Sequence, residues 1–182
     1  MKKNIHIFLI IFLIMTSCSF DYGELDPSDR MLPDLIMENV EYVRVRSADP
    51  IARIQAERVE RFEKQGLMKL IDFSFEQYGD RGNEVNIFGR AGSASLHMES
   101  SDIFMDNGVR IEVESEDIII ETEQLDWKDE QRLLSSGDKH EVFIYQPNGT
   151  SFTGIGLRID TRRRTWEFTG NVSGTYIFEG ED

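Results

Sequence analysis

Of its 182 residues, this chain has one cysteine, three histidines and four prolines. With Cys18 alone, no intrachain disulfide can form, so any fold must be held by its own packing. A domain of this size buries roughly 70% of its unfolded surface, which suffices without covalent staples. His6 lies in the leader, and neither His97 in "SLHMES" nor His140 in "DKHEVF" has a second ligand at metal spacing. Positive charge is also scarce. Twenty Lys and Arg face 34 Asp and Glu, for a net charge of −14, which argues against nucleic acid as a partner. It also disfavours broad electrostatic docking on an anionic bilayer. No G-x-S-x-G elbow is present. The carboxylates of "ESEDIIIETEQLDWKDE" fall at alternate strand positions, as on a solvated face rather than in an acid–base pair or calcium site. We therefore expect no enzyme, no catalytic residue, no metal and no cofactor.

What is there begins with a leader. Lys2 and Lys3 precede an unbroken apolar run of nine, Ile7–Met15, then Thr16, Ser17 and Cys18. That is the layout of a secretory signal, and the run falls short of the ~20 apolar residues that span a bilayer. The position of Cys18 fits lipoprotein cleavage and acylation of that cysteine; a short retained anchor helix is the alternative. The segment "SFDYGELDPSDRMLPD" carries Gly, two Pro and four Asp without periodicity, as a tether does. The expected organisation is a signal or anchor over 1–17, a tether over 18–34, a β-domain over 35–178 and a short tail over 179–182.

From Leu35 onward apolar residues mostly recur every second position, the half-buried strand signature. "ENVEYVRVR" spaces Val43 and Val45 two apart, "LIDFSFEQY" aligns Ile71, Phe73 and Phe75, and Val109, Ile111 and Val113 alternate with Arg110, Glu112 and Glu114. "YGDRGN", "MDNG", "SSGD" and "QPNGT" separate the runs, and Asn107-Gly108 and Asn148-Gly149 supply the positive φ of tight hairpins. The expectation is all-β and antiparallel. One segment resists: in "DPIARIQAERVERFEKQG", Pro50 stands at a helix-start position and Gly66 at a C-cap, so local propensity predicts a helix.

A loose repeat runs through the chain. "AERV", "AGSA", "TEQL" and "GLRI" each place an apolar residue three after a small one, ending at Val59, Ala94, Leu125 and Ile159, 35, 31 and 34 residues apart. Such spacing suits stacked hairpin units. The stretch "TGIGLRID" holds Gly154 and Gly156 but lacks the third glycine of a dinucleotide loop and the Lys-Ser/Thr of a P-loop. Glycines inside a strand mark a bulge, a bend or a close backbone neighbour, and these two are read as giving room. Arg162, Arg163 and Arg164 stand together in "RIDTRRRTWEF", either as a solvated turn or as local attraction for the phosphates or acidic sugars of a glycolipid.

The exported leader, the units of roughly 33 residues, "PDLIMENVEYVRV", "IQAERVERF", "LIDFSFEQY", "IETEQLDWKDEQRLL" and the closing "GIGLRID…GNVSGTY" together resemble the LptC family. That family is the membrane-anchored periplasmic component of the lipopolysaccharide transport bridge, and the likeness covers about residues 33–178. The resemblance implies a twisted, open antiparallel β-jelly roll of the OstA/LptC kind and puts "IQAERVERF" in a strand, against its propensity. Many family members keep an N-terminal helix that docks on the transporter, whereas this leader looks lipidated.

The implied activity is non-enzymatic: receiving lipopolysaccharide or a related glycolipid from an LptBFG-type ABC transporter and passing it to an LptA-like bridge protein. The implied location is the periplasmic face of the inner membrane. Candidate trough residues for acyl chains are Phe73, Phe75, Phe104, Ile118, Ile120, Phe143, Phe152 and Trp166. Candidate partner contacts are Val43 and Val45 in the first strand, and Val172 and Tyr176 in the last. Gly156 matches a glycine characteristic of the family near its C-terminal assembly end, and Tyr176 lies where the family has a junction tyrosine. The competing reading is a structural or adhesive surface lipoprotein with a closed β-sandwich and no lipid ligand.

Overall fold

The computed structural model describes residues 32–79 and 84–178. A compact unit starts at Pro33; Cys18, the leader, most of the tether and the 179–182 tail lie outside the described residues. The unit holds twelve strands: β1 Leu35–Arg46, β2 Asp49–Phe62, β3 Leu67–Tyr78, β4 Val85–His97, β5 Ile103–Val113, β6 Ile118–Lys128, β7 Leu133–Ser135, β8 Glu141–Tyr145, β9 Ser151–Ile155, β10 Leu157–Asp160, β11 Thr165–Phe168 and β12 Val172–Thr175. They form one open antiparallel sheet in the order β1-β2-β3-β4-β5-β6-β7-β10-β11, with β8, β9 and β12 branching from β6. The fold is thus all-β, as the sequence suggests.

A single crease organises it. The first six strands are 11 to 14 residues long, and each is interrupted in the middle at matching register. Asn39 faces Glu57 between the Glu38–Arg58 and Val40–Ala56 pairs. Glu57 in turn faces Asp72, and Asp72 faces Gly92. The line continues through Asn107 and Gly108, where β5 bulges against both neighbours, to Glu123. Asn39, Asp72 and Asn107 have φ of 52°, 47° and 65°, a left-handed conformation that Asn and Asp tolerate better than other L-residues. Past the crease β6 forks: Ile119–Thr122 pair with β8, and Asp126–Lys128 pair with β7.

The crease divides the sheet into two leaves. Leaf one contains Leu35–Glu38 and continues across the sheet to β7, β10 and β11; leaf two contains Val40–Arg46 and continues to β8, β9 and β12. The two chain crossings at the far end obey the same line. Gly156 joins β9 to β10, and Thr169 and Gly170 donate their N–H groups to the carbonyls of Gly156 and Ile155. The leaves face one another there, because the Phe152 ring of leaf two meets the Trp166 ring of leaf one at 5.9 Å.

An interrupted strand changes phase, and that accounts for the repeat. Two inward residues flanking a crease are three apart rather than two: Ala56 and Val59, Leu70 and Phe73, Ala91 and Ala94, Thr122 and Leu125 are all buried. In the fourth unit the buried pair is Gly154 and Leu157, two residues earlier than the "GLRI" expectation.

Two further expectations change for the same reason. Asn107-Gly108 is a mid-strand bulge and not a hairpin turn, whereas Asn148-Gly149 does turn the chain between β8 and β9. Ile71 leaves the face of Phe73 and Phe75 because Asp72 intervenes, and Leu70 takes its place in the core. The helix that propensity favours over 50–66 is strand β2, since pairing with β1 and β3 along most of its length satisfies its backbone. Gly66 keeps its capping role at φ 60°, but over a 3-10 turn of three residues, Glu63–Gln65.

Candidate functional site

Burial on the inner face falls from the crease outward, and this gradient defines the site. Beside the crease, Val59, Ala94, Met105 and Leu125 of leaf one and Ala56, Phe73, Val109 and Val142 of leaf two are buried. One step outward, Met68, Leu96, Ile103 and Ile159 of leaf one and Ile54 and Phe75 of leaf two are only partly covered, while Ile111, Ile120 and Ile144 of leaf two stay buried and the cover thins a step further out, at Ile87 and Ile118. The inner surface is therefore a continuous apolar trough, packed at its floor and open along its lips. A closed sandwich would bury both rows equally.

Glycines shape this lining. A β-carbon at Gly89 would lie 2.1 Å from Phe75 Cε1, so the Phe75 ring lies over a bare cross-strand backbone. One at Gly154 would lie 2.5 Å from Phe168 Cδ1, which belongs to the opposite leaf. Gly156 (φ 70°) would place it 2.0 Å from Thr169 Oγ1. These glycines let backbone and side chains approach, and no phosphate loop is formed.

The sequence-derived candidates divide by face. Phe73, Phe75, Ile118, Ile120 and Phe152 belong to the inner face, with Phe73 and Phe75 stacked at 6.3 Å. Trp166, 52% exposed, stands at the C-terminal end of the trough, edge-on to Phe152 and Phe168. Two candidates leave the lining. Phe104 alternates with buried Met105, and Phe143, 46% exposed, alternates with buried Val142 and Ile144; strand alternation aims both at the outer face. Met105, Leu125 and Leu157, central to the floor, were missed because the phase change at the crease hides them from a period-two reading, and Val142 of the uninterrupted β8 was passed over for its outward neighbour Phe143. The i, i+3 repeat was the signal that could have found Leu125.

Of the partner candidates, Val43 and Val45 are exposed on β1, which among the described residues pairs only with β2 and leaves its other edge free. Val172 begins β12, which among the described residues pairs only with β9, and Tyr176 beyond it is 68% exposed. Gly156 does not join them: it is buried at the crease, its N–H donated to the His140 carbonyl at 3.3 Å. Its role is internal shape rather than contact.

The outer face is polar. Arg110 donates to Glu112 at 2.7 Å and to Glu121 and the Tyr145 hydroxyl; these hydrogen bonds, first to Glu112 and then to Glu121, push its pKa still higher. A shallow concavity on the outside of leaf one is lined by Leu67, Ser95, His97, Asp102, Ile103, Phe104, Asp126 and Lys128. Burial raises the Asp126 pKa, while an N–H from Asp129 and the Lys128 ammonium hold Asp102 below the usual carboxylate range. Among the described residues no cluster of three or more His, Cys, Asp or Glu could hold a metal. Nor is any described helix long and apolar enough to cross a membrane.

Comparison with known proteins bears on this geometry. The family described as "Lipopolysaccharide-assembly, LptC-related" matches residues 5–177. Among solved structures, LptH of Pseudomonas aeruginosa, described as the LptA-homologous periplasmic component of the lipopolysaccharide transport device, superposes with a TM-score of 0.53. The match is 15% identical and covers 83% of this chain and 99% of that one, and so speaks to the fold. No curated protein sequence matches.

Proposed function

This chain belongs to the LptC-related lipopolysaccharide-assembly family, and on that premise we propose that it is a non-enzymatic carrier of lipopolysaccharide or a similar glycolipid. Acyl chains lie in the trough between the leaves and the sugar headgroup stays outside in water. The observation that carries this reading is the decline in burial from crease to lip along the inner face. Each CH₂ removed from water contributes about 0.8 kcal/mol, so a multi-chain lipid is held firmly. Apolar contact has no strict register, so the lipid can still move along the floor. The acidic protein meets little repulsion from an anionic headgroup that it does not enclose.

The two sheet ends supply entry and exit. Unpaired strand edges are a liability unless another chain adds to them. The free edge of β1, with exposed Tyr42, Val43 and Val45, receives the periplasmic part of an LptBFG-type transporter. The edges of β11 and β12, with exposed Trp166, Val172 and Tyr176, meet an LptA-like protein. Acylation of Cys18, or a retained leader helix, holds the chain at the periplasmic face of the inner membrane. The energy for directed movement comes from the transporter.

A transfer assay tests the reading. Full-length protein loaded with radiolabelled lipopolysaccharide is mixed with an LptA-like acceptor, and label on the acceptor is counted. Wild type should transfer, and Ile118→Glu, which puts a charge on the half-buried inner wall, should neither load nor transfer. A wild-type chain that holds no lipopolysaccharide would end the proposal.

A further inference from the structure

Acid lies in turns of both leaves, with Glu63, Glu99, Asp102, Asp129 and Glu130 in those of leaf one, and one corner stands out against it. Leaf two ends in turns rich in acid, including Glu114, Glu116 and Asp117 between β5 and β6. Leaf one ends, at its C-terminal corner, in the β10–β11 turn Thr161–Arg164, with three consecutive arginines in a protein of net charge −14.

This corner is built rather than loose. Thr161 donates both its N–H and its hydroxyl to the Arg132 carbonyl at 3.0 Å, which fastens the β10–β11 turn to the β6–β7 turn. Asp160 Oδ1 accepts the N–H groups of Arg162 and Arg163, each at 2.9 Å. The Arg162 guanidinium donates to the Glu130 carbonyl at 2.7 Å. The nearby acids are mostly committed: Asp129 pairs with Arg132, Asp160 holds the turn and Glu167 lies 3.7 Å from Arg158. Among the described residues Arg162 and Arg164 have no carboxylate partner, and the Arg163 side chain, whose Nε lies 3.7 Å from Asp160 Oδ2, is 82% exposed. Two residues after Arg164, Trp166 stands over the C-terminal end of the trough, its ring edge-on to Phe152 and Phe168.

We infer that Arg162, Arg163 and Arg164 form a phosphate-binding corner that holds the phosphorylated headgroup of an acylated glycolipid whose chains occupy the adjoining trough. Guanidinium groups bind phosphate through paired, charge-assisted hydrogen bonds. An apolar floor ending beside such a cluster fits a ligand that is greasy at one end and dianionic at the other. The corner lies at the end where β11 and β12 leave their edges free, so it fixes the headgroup at the exit. This inference rests on the lipid-carrier reading, and it adds the part of the ligand that the trough does not hold.

The test uses the full-length chain with a photo-crosslinker at Ile118. It is titrated with bisphosphorylated, monophosphorylated and phosphate-free forms of an acylated glucosamine disaccharide. Wild type should prefer the bisphosphorylated over the phosphate-free form on the order of tenfold, the scale of one charge-assisted bond. The Arg162→Gln/Arg163→Gln/Arg164→Gln variant should lose that preference while still capturing the phosphate-free form. The matching triple-lysine variant should keep part of it. An unchanged preference in the glutamine variant overturns the inference and leaves the carrier reading standing, whereas no capture of any form by wild type removes the carrier reading itself. Equimolar inorganic phosphate should not compete; displacement by it would reassign the corner to free phosphate. Loss of binding to phosphatidylglycerol vesicles in the glutamine variant would reassign it to membrane docking.

Discussion

Replacing Gly156 with alanine should cost stability through two separable effects. The first is backbone conformation: Gly156 has φ 70°, and a β-carbon in the left-handed region costs roughly 1–2 kcal/mol. The second is contact: the new β-carbon would lie 2.0 Å from Thr169 Oγ1 and 3.3 Å from Thr169 Cβ. Overpacking of this kind adds about 1–3 kcal/mol. Gly156 cannot shift away freely, since it is bound on both sides, to the His140 carbonyl and the Thr169 N–H. Gly156→Ala should therefore lower the free energy of unfolding by about 2–5 kcal/mol, read from the urea midpoint at constant slope. Adding Thr169→Gly removes the colliding atoms and should recover the contact part, measured against Thr169→Gly alone, leaving the conformational part. Gly156→Asn should show the reverse division, because Asn tolerates the conformation but still carries a β-carbon. If Gly156→Ala left the midpoint unchanged, or Thr169→Gly gave no recovery, the account of the crease at Gly156 would be wrong.

The remaining predictions follow from burial and charge. Leu125→Ala at the fully buried floor should cost about 2–5 kcal/mol, whereas Ile118→Ala at the half-buried lining should cost about 1 kcal/mol and act mainly on lipid capture. Comparable stability losses in urea titrations would remove the difference between floor and lips. Asp126 has a folded pKa raised first by burial, with Asp102 adding and Lys128 and His140 opposing. Its neutral form is thus favoured in the fold, and its contribution to stability falls as pH rises from the unfolded value of 3.8 through the folded one. Asp126→Asn should therefore stabilise the protein at pH 7 and have little effect at pH 3; equal effects at both pH values would contradict the assignment.

The strand class was legible because alternation on each side of the crease is regular: Val109, Ile111 and Val113 occupy one face as their spacing indicates. The crease itself was visible only indirectly. A mid-strand Asn or Asp is unfavourable for a strand, and Asn107-Gly108 looks like a hairpin until its pairing on both sides is seen. Alternation aligns Ile71 with Phe73 and Phe75, and Phe104 and Phe143 are trough candidates, yet all three face outward. Face assignment depends on where the phase changes and which strand lies alongside, neither of which a short window contains. β2 shows the same limit, since pairing with β1 and β3 overrides a sequence of high helical propensity.

The open interior is tested most directly by photo-crosslinking in cells with one probe on each face: Ile118 on the inner lining and Phe143 on the outer surface. The account predicts an adduct carrying acylated glycolipid at Ile118 and none at Phe143. Equal labelling at both positions, or glycolipid at Phe143 alone, would contradict it.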